Sequence, residues 1–139
     1  MKVLVVGSGG RENALAWKLS MSNGIEKIYV APGNAGTRLG VKTENISIDP
    51  MDIDSLLQFA DAKNIGLTVI GPEMPLVSGI VDRFYLANRP CFGPTKSAAR
   101  LEGSKSFSKL IMKRHSIPTA PFRIFNNSSK AIGYVRTKQ

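Results

Sequence analysis

Over residues 1–94 the apolar positions fall alternately into unbroken runs and spaced stripes. Residues 2–6 form a β-branched run that predicts a buried strand. Gly7, Gly9 and Gly10 follow at once. Then comes a helical pattern in which Ala14, Leu15, Trp17, Leu19 and Met21 form an apolar stripe, and Asn23-Gly24 stops it. Residues 27–30 predict a second strand, and AlaProGlyAsnAlaGlyThr at 31–37 predicts a loop. Residues 45–48 read as a short third strand, with Asp49-Pro50 as helix cap and first helical position ahead of Ile53, Leu56, Leu57 and Ala60, spaced i, i+3, i+4, i+7. Residues 67–70 predict the next buried strand. GlyProGluMetPro at 71–75 breaks it before a helix with Leu76, Val77, Ile80, Val81 and Phe84 inward, and Cys91-Phe92 makes a last short strand.

Strands alternating with helices imply an α/β, Rossmann-like parallel sheet with right-handed crossovers and both faces covered. In such sheets ligands bind beyond the carboxyl ends of the strands, where the strand order reverses. Three glycine- or proline-rich loops are expected at that edge, 7–12, 31–37 and 71–75, and they should converge on one crevice. Glu73, between Pro72 and Pro75, is a candidate acceptor for sugar hydroxyls. Asn34 and the amides of Gly33 and Gly36 could add polar contacts.

The first loop invites comparison with the dinucleotide fingerprint, and the comparison fails. G-x-G-x-x-G needs glycine where this chain has Glu12, and the second strand should close on an acid where this chain has Ala31-Pro32-Gly33. What remains is a glycine loop at a helix start, suited to an anion through Gly9, Gly10 and the guanidinium of Arg11, with Glu12 able to accept from a sugar hydroxyl or an amine. An ordinary βα turn with Arg11 solvated explains the loop alone equally well.

Charge and cysteine content narrow the class. Residues 1–95 hold nine Lys/Arg and nine Asp/Glu, whereas 96–139 hold ten Lys/Arg and only Glu102, so the second stretch supplies the whole net charge of +9. No nucleic-acid-binding signature accompanies these cations, which are interleaved with helix-periodic apolar residues, so a nucleic-acid partner is not expected. One cysteine, Cys91, forms no internal disulfide and is expected in the core, as is Trp17. The absence of a membrane-length apolar run or a signal-peptide layout fits a cytoplasmic setting with no membrane partner.

After Pro94 the pattern changes. Thr95 is expected to cap a short helix ending at Gly103, and Ser104 a second with Phe107, Leu110 and Ile111 on one face, ended by Ile117-Pro118. Residues 122–125 predict a strand, and Ser128 or Ser129 a helix running to Gln139 that carries Ala131, Ile132 and Val135. A lone strand and helix cannot make a stable domain, so these residues are expected to belong to an incomplete second domain or to an element completed by another chain. His115, beside Lys113 and Arg114, is expected as a helix C-terminal cation.

GlySerGlyGlyArgGlu at 7–12, AlaProGlyAsnAlaGlyThr at 31–37, GlyProGluMetProLeuVal at 71–77, and GlyProThrLysSerAlaAla with LeuGluGlySerLys at 93–105 occur in order. The whole chain resembles the N-terminal part of the phosphoribosylamine–glycine ligase (glycinamide ribonucleotide synthetase) family. The resemblance implies a purine-biosynthesis enzyme of the ATP-grasp superfamily that joins glycine to the amine of 5-phosphoribosylamine through glycyl phosphate, using ATP and magnesium, with manganese possible. It implies a pre-ATP-grasp substrate domain over 1–94, with Gly9, Gly10, Arg11, Glu12, Asn34, Gly36, Glu73 and Pro75 on the substrate, and a linker and start of the ATP-grasp domain over 95–139. Lys105 matches the family's first nucleotide-side lysine. No catalytic residue and no metal ligand is implied within this chain. Asn13 stands where the family usually has histidine, and family members continue well beyond 139 residues, so this chain alone is expected to be inactive and to need the remainder of the enzyme. A non-catalytic module that binds a sugar phosphate or offers an assembly surface is the alternative.

Overall fold

The computed structural model describes residues 1–137 and divides into two compact units, Met1–Gly103 and Ser104–Gln139.

The first unit is a five-stranded, wholly parallel sheet in the order β3-β2-β1-β4-β5, formed by β1 (Lys2–Gly7), β2 (Lys27–Pro32), β3 (Thr43–Asn45), β4 (Leu67–Ile70) and β5 (Cys91–Phe92). Residues of β1 point alternately to the two faces, as strand geometry requires. Leu4 and Val6 join Tyr29, Leu56, Ile80 and Phe84 in one core, whereas Val3 and Val5 join Ile28, Val30, Val69 and Ala16 in the other. The first core lies under α3 (Ile53–Ala62), α4 (Glu73–Ser78), α5 (Ile80–Leu86) and α6 (Lys96–Gly103); the second lies under α1 (Gly10–Ser20). Tyr29 and Phe59 meet edge to face across β2 and α3, centroids 5.1 Å apart. Gly79, in the left-handed region at φ 97°, separates α4 from α5.

Several elements depart from the sequence expectation. β2 continues to Pro32, and the stretch read as a loop at 31–37 contains the four-residue helix α2 (Ala35–Arg38). β3 spans Thr43–Asn45 rather than 45–48, because after the Ile46 N–H donates to the Val30 carbonyl the chain turns inward and packs Ile46 and Ile48 on the core. The cap of α3 is Asp52, whose carboxylate accepts from Ser55 N–H, while Asp49 instead closes a local turn by accepting from Met51 N–H. The largest departure is α1. Its buried face is Glu12 and Ala16, with Leu19 packed alongside, and Ala14, Leu15, Trp17 and Met21 face out; Trp17 is 61% exposed and is not a core residue. Cys91 is half-buried against the first core, and desolvation pushes its thiol up to about 12.

The second unit contains α7 (Lys105–Arg114), capped by Ser104 and closed by His115, and α8 (Ser128–Arg136), capped by Asn127. Residues 122–125 form no strand, because no strand among the described residues pairs with them. Phe125 stacks on Tyr134 at 5.5 Å, and the Arg123 guanidinium lies 4.8 Å from the same ring. No described residue of this unit is fully buried, and Ile132 and Val135 are exposed. The end of the last helix expected at Gln139 lies outside the described residues; α8 itself ends at Arg136.

Candidate functional site

The strand order reverses between β1 and β4: the chain leaves β1 toward β2 and β3, then returns to the other side of β1. A cleft of about 330 Å³ opens there, lined by Gly7, Ser8, Gly9, Arg11 and Glu12, by Asp49, Pro50 and Met51 after β3, and by Pro72, Met74 and Pro75 after β4.

Glu12 anchors the cleft wall. Gly9 is the N-cap of α1, so Glu12 occupies the third helical position, and its Oε2 accepts the Gly9 N–H at 2.6 Å. The amides of the first helical turn have no carbonyl partner one turn earlier in the helix. The carboxyl group is buried, and its Oε1 has no hydrogen-bond partner. Three glycines make room for it. A Cβ at Gly7 would lie 2.6 Å from Glu12 Cγ, one at Gly9 would lie 2.9 Å from Oε2, and one at Gly71 would lie 1.9 Å from Oε1. Gly7 also needs its φ of 129°, open to glycine and strained for other residues.

Backbone bonds tie the three loops together at their roots: Gly33 N–H donates to the Gly7 carbonyl at 3.1 Å, and Gly71 N–H to the Val6 carbonyl at 3.0 Å. Asn34 then fastens the second loop to the first. Its Nδ2 donates to the carbonyls of Ser8 and Gly9 at 2.9 and 3.0 Å, while its Oδ1 accepts from Thr37 N–H and caps α2. Asn45 backs this arrangement, with Nδ2 donating to the Asn34 carbonyl and Oδ1 accepting from the Thr37 hydroxyl, each at 2.8 Å.

Among the residues singled out from sequence, Gly9, Arg11, Glu12 and Pro75 line the cleft, and Gly10 is the first residue of α1 beside it. Glu73 opens α4 and does not line the cleft. Asn34 braces the glycine loop from outside the cleft and lines a neighbouring polar pocket of about 420 Å³ with Arg38, Asn45 and Ser47. Gly36 lies against Asn13: a Cβ there would meet the amide at 2.9 Å. Sequence reasoning missed the wall from Asp49 to Met51, because Asp-Pro reads as a helix cap, and it missed the bracing by Asn45 and Thr37, which no local pattern announces. In the second unit Lys105 lines a pocket of about 310 Å³ with Lys109, Phe122, Arg123 and Ile124, a cationic recess with one aromatic wall. Among the described residues no group of three His, Cys, Asp or Glu could hold a metal ion, and no helix is long and apolar enough to cross a membrane.

Comparison with known proteins gives these features a family. The relatives include phosphoribosylamine–glycine ligases of Pasteurella multocida, 53% identical over 138 residues, and of Vibrio cholerae, 54% identical over 138 residues. Each match covers 99% of this chain and 32% of the relative, so the chain spans about a third of their length. Similar solved structures include the biotin carboxylase domain of a single-chain bacterial carboxylase, with TM-score 0.73 and 15% identity over 99% of this chain and 34% of that one. Another is the biotin carboxylase domain of Hydrogenobacter thermophilus 2-oxoglutarate carboxylase with MgADP and bicarbonate, with TM-score 0.71 and 19% identity over 98% of this chain and 32% of that one. At such identities these two speak for the fold alone. The family described as phosphoribosylglycinamide synthetase, N domain, matches residues 1–102, and this chain belongs to it.

Proposed function

We propose that the cleft binds a phosphorylated ribose and that the chain is the substrate-side part of an ATP-dependent ligase joining glycine to 5-phosphoribosylamine, giving glycinamide ribonucleotide for purine synthesis in the cytoplasm. One observation carries the reading: Arg11 lines a cleft at the sheet's switch point whose glycine loop is held by Glu12 and Asn34. Free amides at the start of α1 and a guanidinium beside them suit a phosphate. Glu12, which lines the cleft, holds the glycine loop from beneath, with its unpartnered Oε1 buried against Gly71. Gly10, beside the cleft, and Glu73, Asn34 and Gly36, which lie off its lining, are the further candidate contacts of this reading.

In this reading residues 1–94 are the substrate domain, α6 is the linker packed on it through Ala99, and the residues from Ser104 begin an ATP-grasp domain. Lys105, with Lys109 and Arg123, would hold nucleotide phosphates against the Phe122 wall. Magnesium or manganese would in this reading be bound by other parts of the full-length enzyme. The chain by itself is then inactive, because in-line transfer of a phosphoryl group needs its charge neutralised as it develops. Fusing the remainder of the Pasteurella multocida relative after Gln139 should give glycine-dependent ADP release that Lys105→Ala reduces. Glycine-dependent ADP release by the 139-residue chain alone, lost in Lys105→Ala, would overturn the division of labour. A fusion that folds and binds the sugar phosphate yet releases no ADP would favour a non-catalytic module.

A further inference from the structure

A second recess, which shares no lining residue with the cleft, lies between α1 and the segment 36–43. It measures about 500 Å³, and its lining includes Trp17, Met21, Leu39, Val41, Ser20 and Thr43. Its apolar side chains are strongly exposed: Trp17 61%, Leu39 86% and Val41 98%. Exposed apolar side chains are ordinary when scattered, but these border one recess, and contiguous patches mark interaction sites. The charges on the two stretches that form it have one sign, and Glu44, next after Thr43, is held in an ion pair with Lys27. Residues 13–24 and 36–43, the two stretches that form the recess, contain Lys18, Arg38 and Lys42 and no Asp or Glu.

Two features identify the occupant. Two copies meeting through this face would bring six cations together with no anion from either stretch, which opposes self-association. The family relatives carry about two thirds of their length outside the stretch matched here, and none of that length is present to cover the face. We infer that the Trp17–Leu39–Val41 face is an intramolecular docking surface, covered in the full-length family chain by an apolar, acid-rimmed surface from the C-terminal two thirds. The inference rests on family membership and on this face, and holds whatever ligand the cleft takes.

Thiol labelling tests it. Val41→Cys is introduced into the 139-residue chain and into its fusion with the remaining sequence of the Pasteurella multocida relative, and modification by a maleimide is timed by peptide mass mapping. Residue 41 should label freely in the short chain and about tenfold or more slowly in the folded fusion, since docking must open before reaction. Leu39→Asp with Val41→Asp should leave the short chain's melting temperature unchanged, both sites being solvated, yet restore fast labelling at a Cys placed at residue 17 in the fusion. Equal labelling rates in the two proteins would overturn the inference, as would protection that grows with concentration in the short chain, which would assign the face to a second copy. If the fusion does not fold, the same comparison is made between the intact Pasteurella multocida relative and its own N-terminal third, with cysteine at the position aligned with residue 41; equal rates there overturn it equally.

Discussion

Glu12 fills the space that a side chain on Gly71 would need: a Cβ at residue 71 would lie 1.9 Å from Glu12 Oε1. In a dinucleotide-binding loop the third glycine lets the helix approach the sheet closely. Here a glutamate stands in that position on α1, and a glycine at the end of β4 supplies the room. The two positions should be coupled. Gly71→Ala should destabilise the fold by about 1–3 kcal/mol through overpacking, and combining it with Glu12→Ala should cost less than the sum of the two single changes. Urea melts of the four proteins measure this, and strict additivity would mean that the contact does not constrain the loop.

Asn34 should separate capping from bracing. Asn34→Ala removes the α2 cap and both donations to the glycine loop, and is expected to cost about 1–3 kcal/mol. Asn34→Asp keeps an acceptor for Thr37 N–H but loses the donors to the Ser8 and Gly9 carbonyls. It should therefore lose less stability than the alanine variant, while the amide resonances of Ser8, Gly9 and Gly10 shift as far as they do in Asn34→Ala. Unmoved loop resonances in the aspartate variant would remove the brace.

Cys91 should be inert at ordinary pH and a liability in alkali. Burial holds its thiol at about 12, against a value of 9.0 for an unburied group. A pKa raised by folding means that stability is fully present below about pH 9 and is lost as pH rises toward 12. Stability measured across that range should fall less in Cys91→Ala than in the unaltered chain, and alkylation of the folded chain at pH 8 should be slow until denaturant is added. Rapid alkylation of the native chain at pH 8 would contradict the placement.

Much of the sheet was legible because β1, β2 and β4 are apolar runs long enough to be buried on both faces. Helices α3 and α5 were legible because Leu56, Ala60, Ile80 and Phe84 recur at helical spacing. Helix α1 misled for a physical reason: its buried stripe is a glutamate and an alanine, while its largest apolar residues, Trp17 and Met21, are exposed. Helix α2 is only four residues, too short for any periodicity, and rests on the reciprocal bonds between Asn34 and Thr37. The glycine loop and the edge it occupies could be read from residues 7–12, but the opposing wall from Asp49 to Met51 is brought there by the packing of Ile46 and Ile48, which only the fold reveals.

The central claim is that the cleft takes a phosphorylated ribose through Arg11, and calorimetric titration of ribose 5-phosphate into the unaltered chain and Arg11→Ala tests it most directly. Loss of one charge-assisted contact should weaken binding by about 1.5–3 kcal/mol. The account predicts saturable binding by the unaltered chain, that much weaker in Arg11→Ala, and lost with inorganic salt in place of the sugar phosphate. Equal affinities in the two proteins, or no binding by a folded unaltered chain, would contradict it.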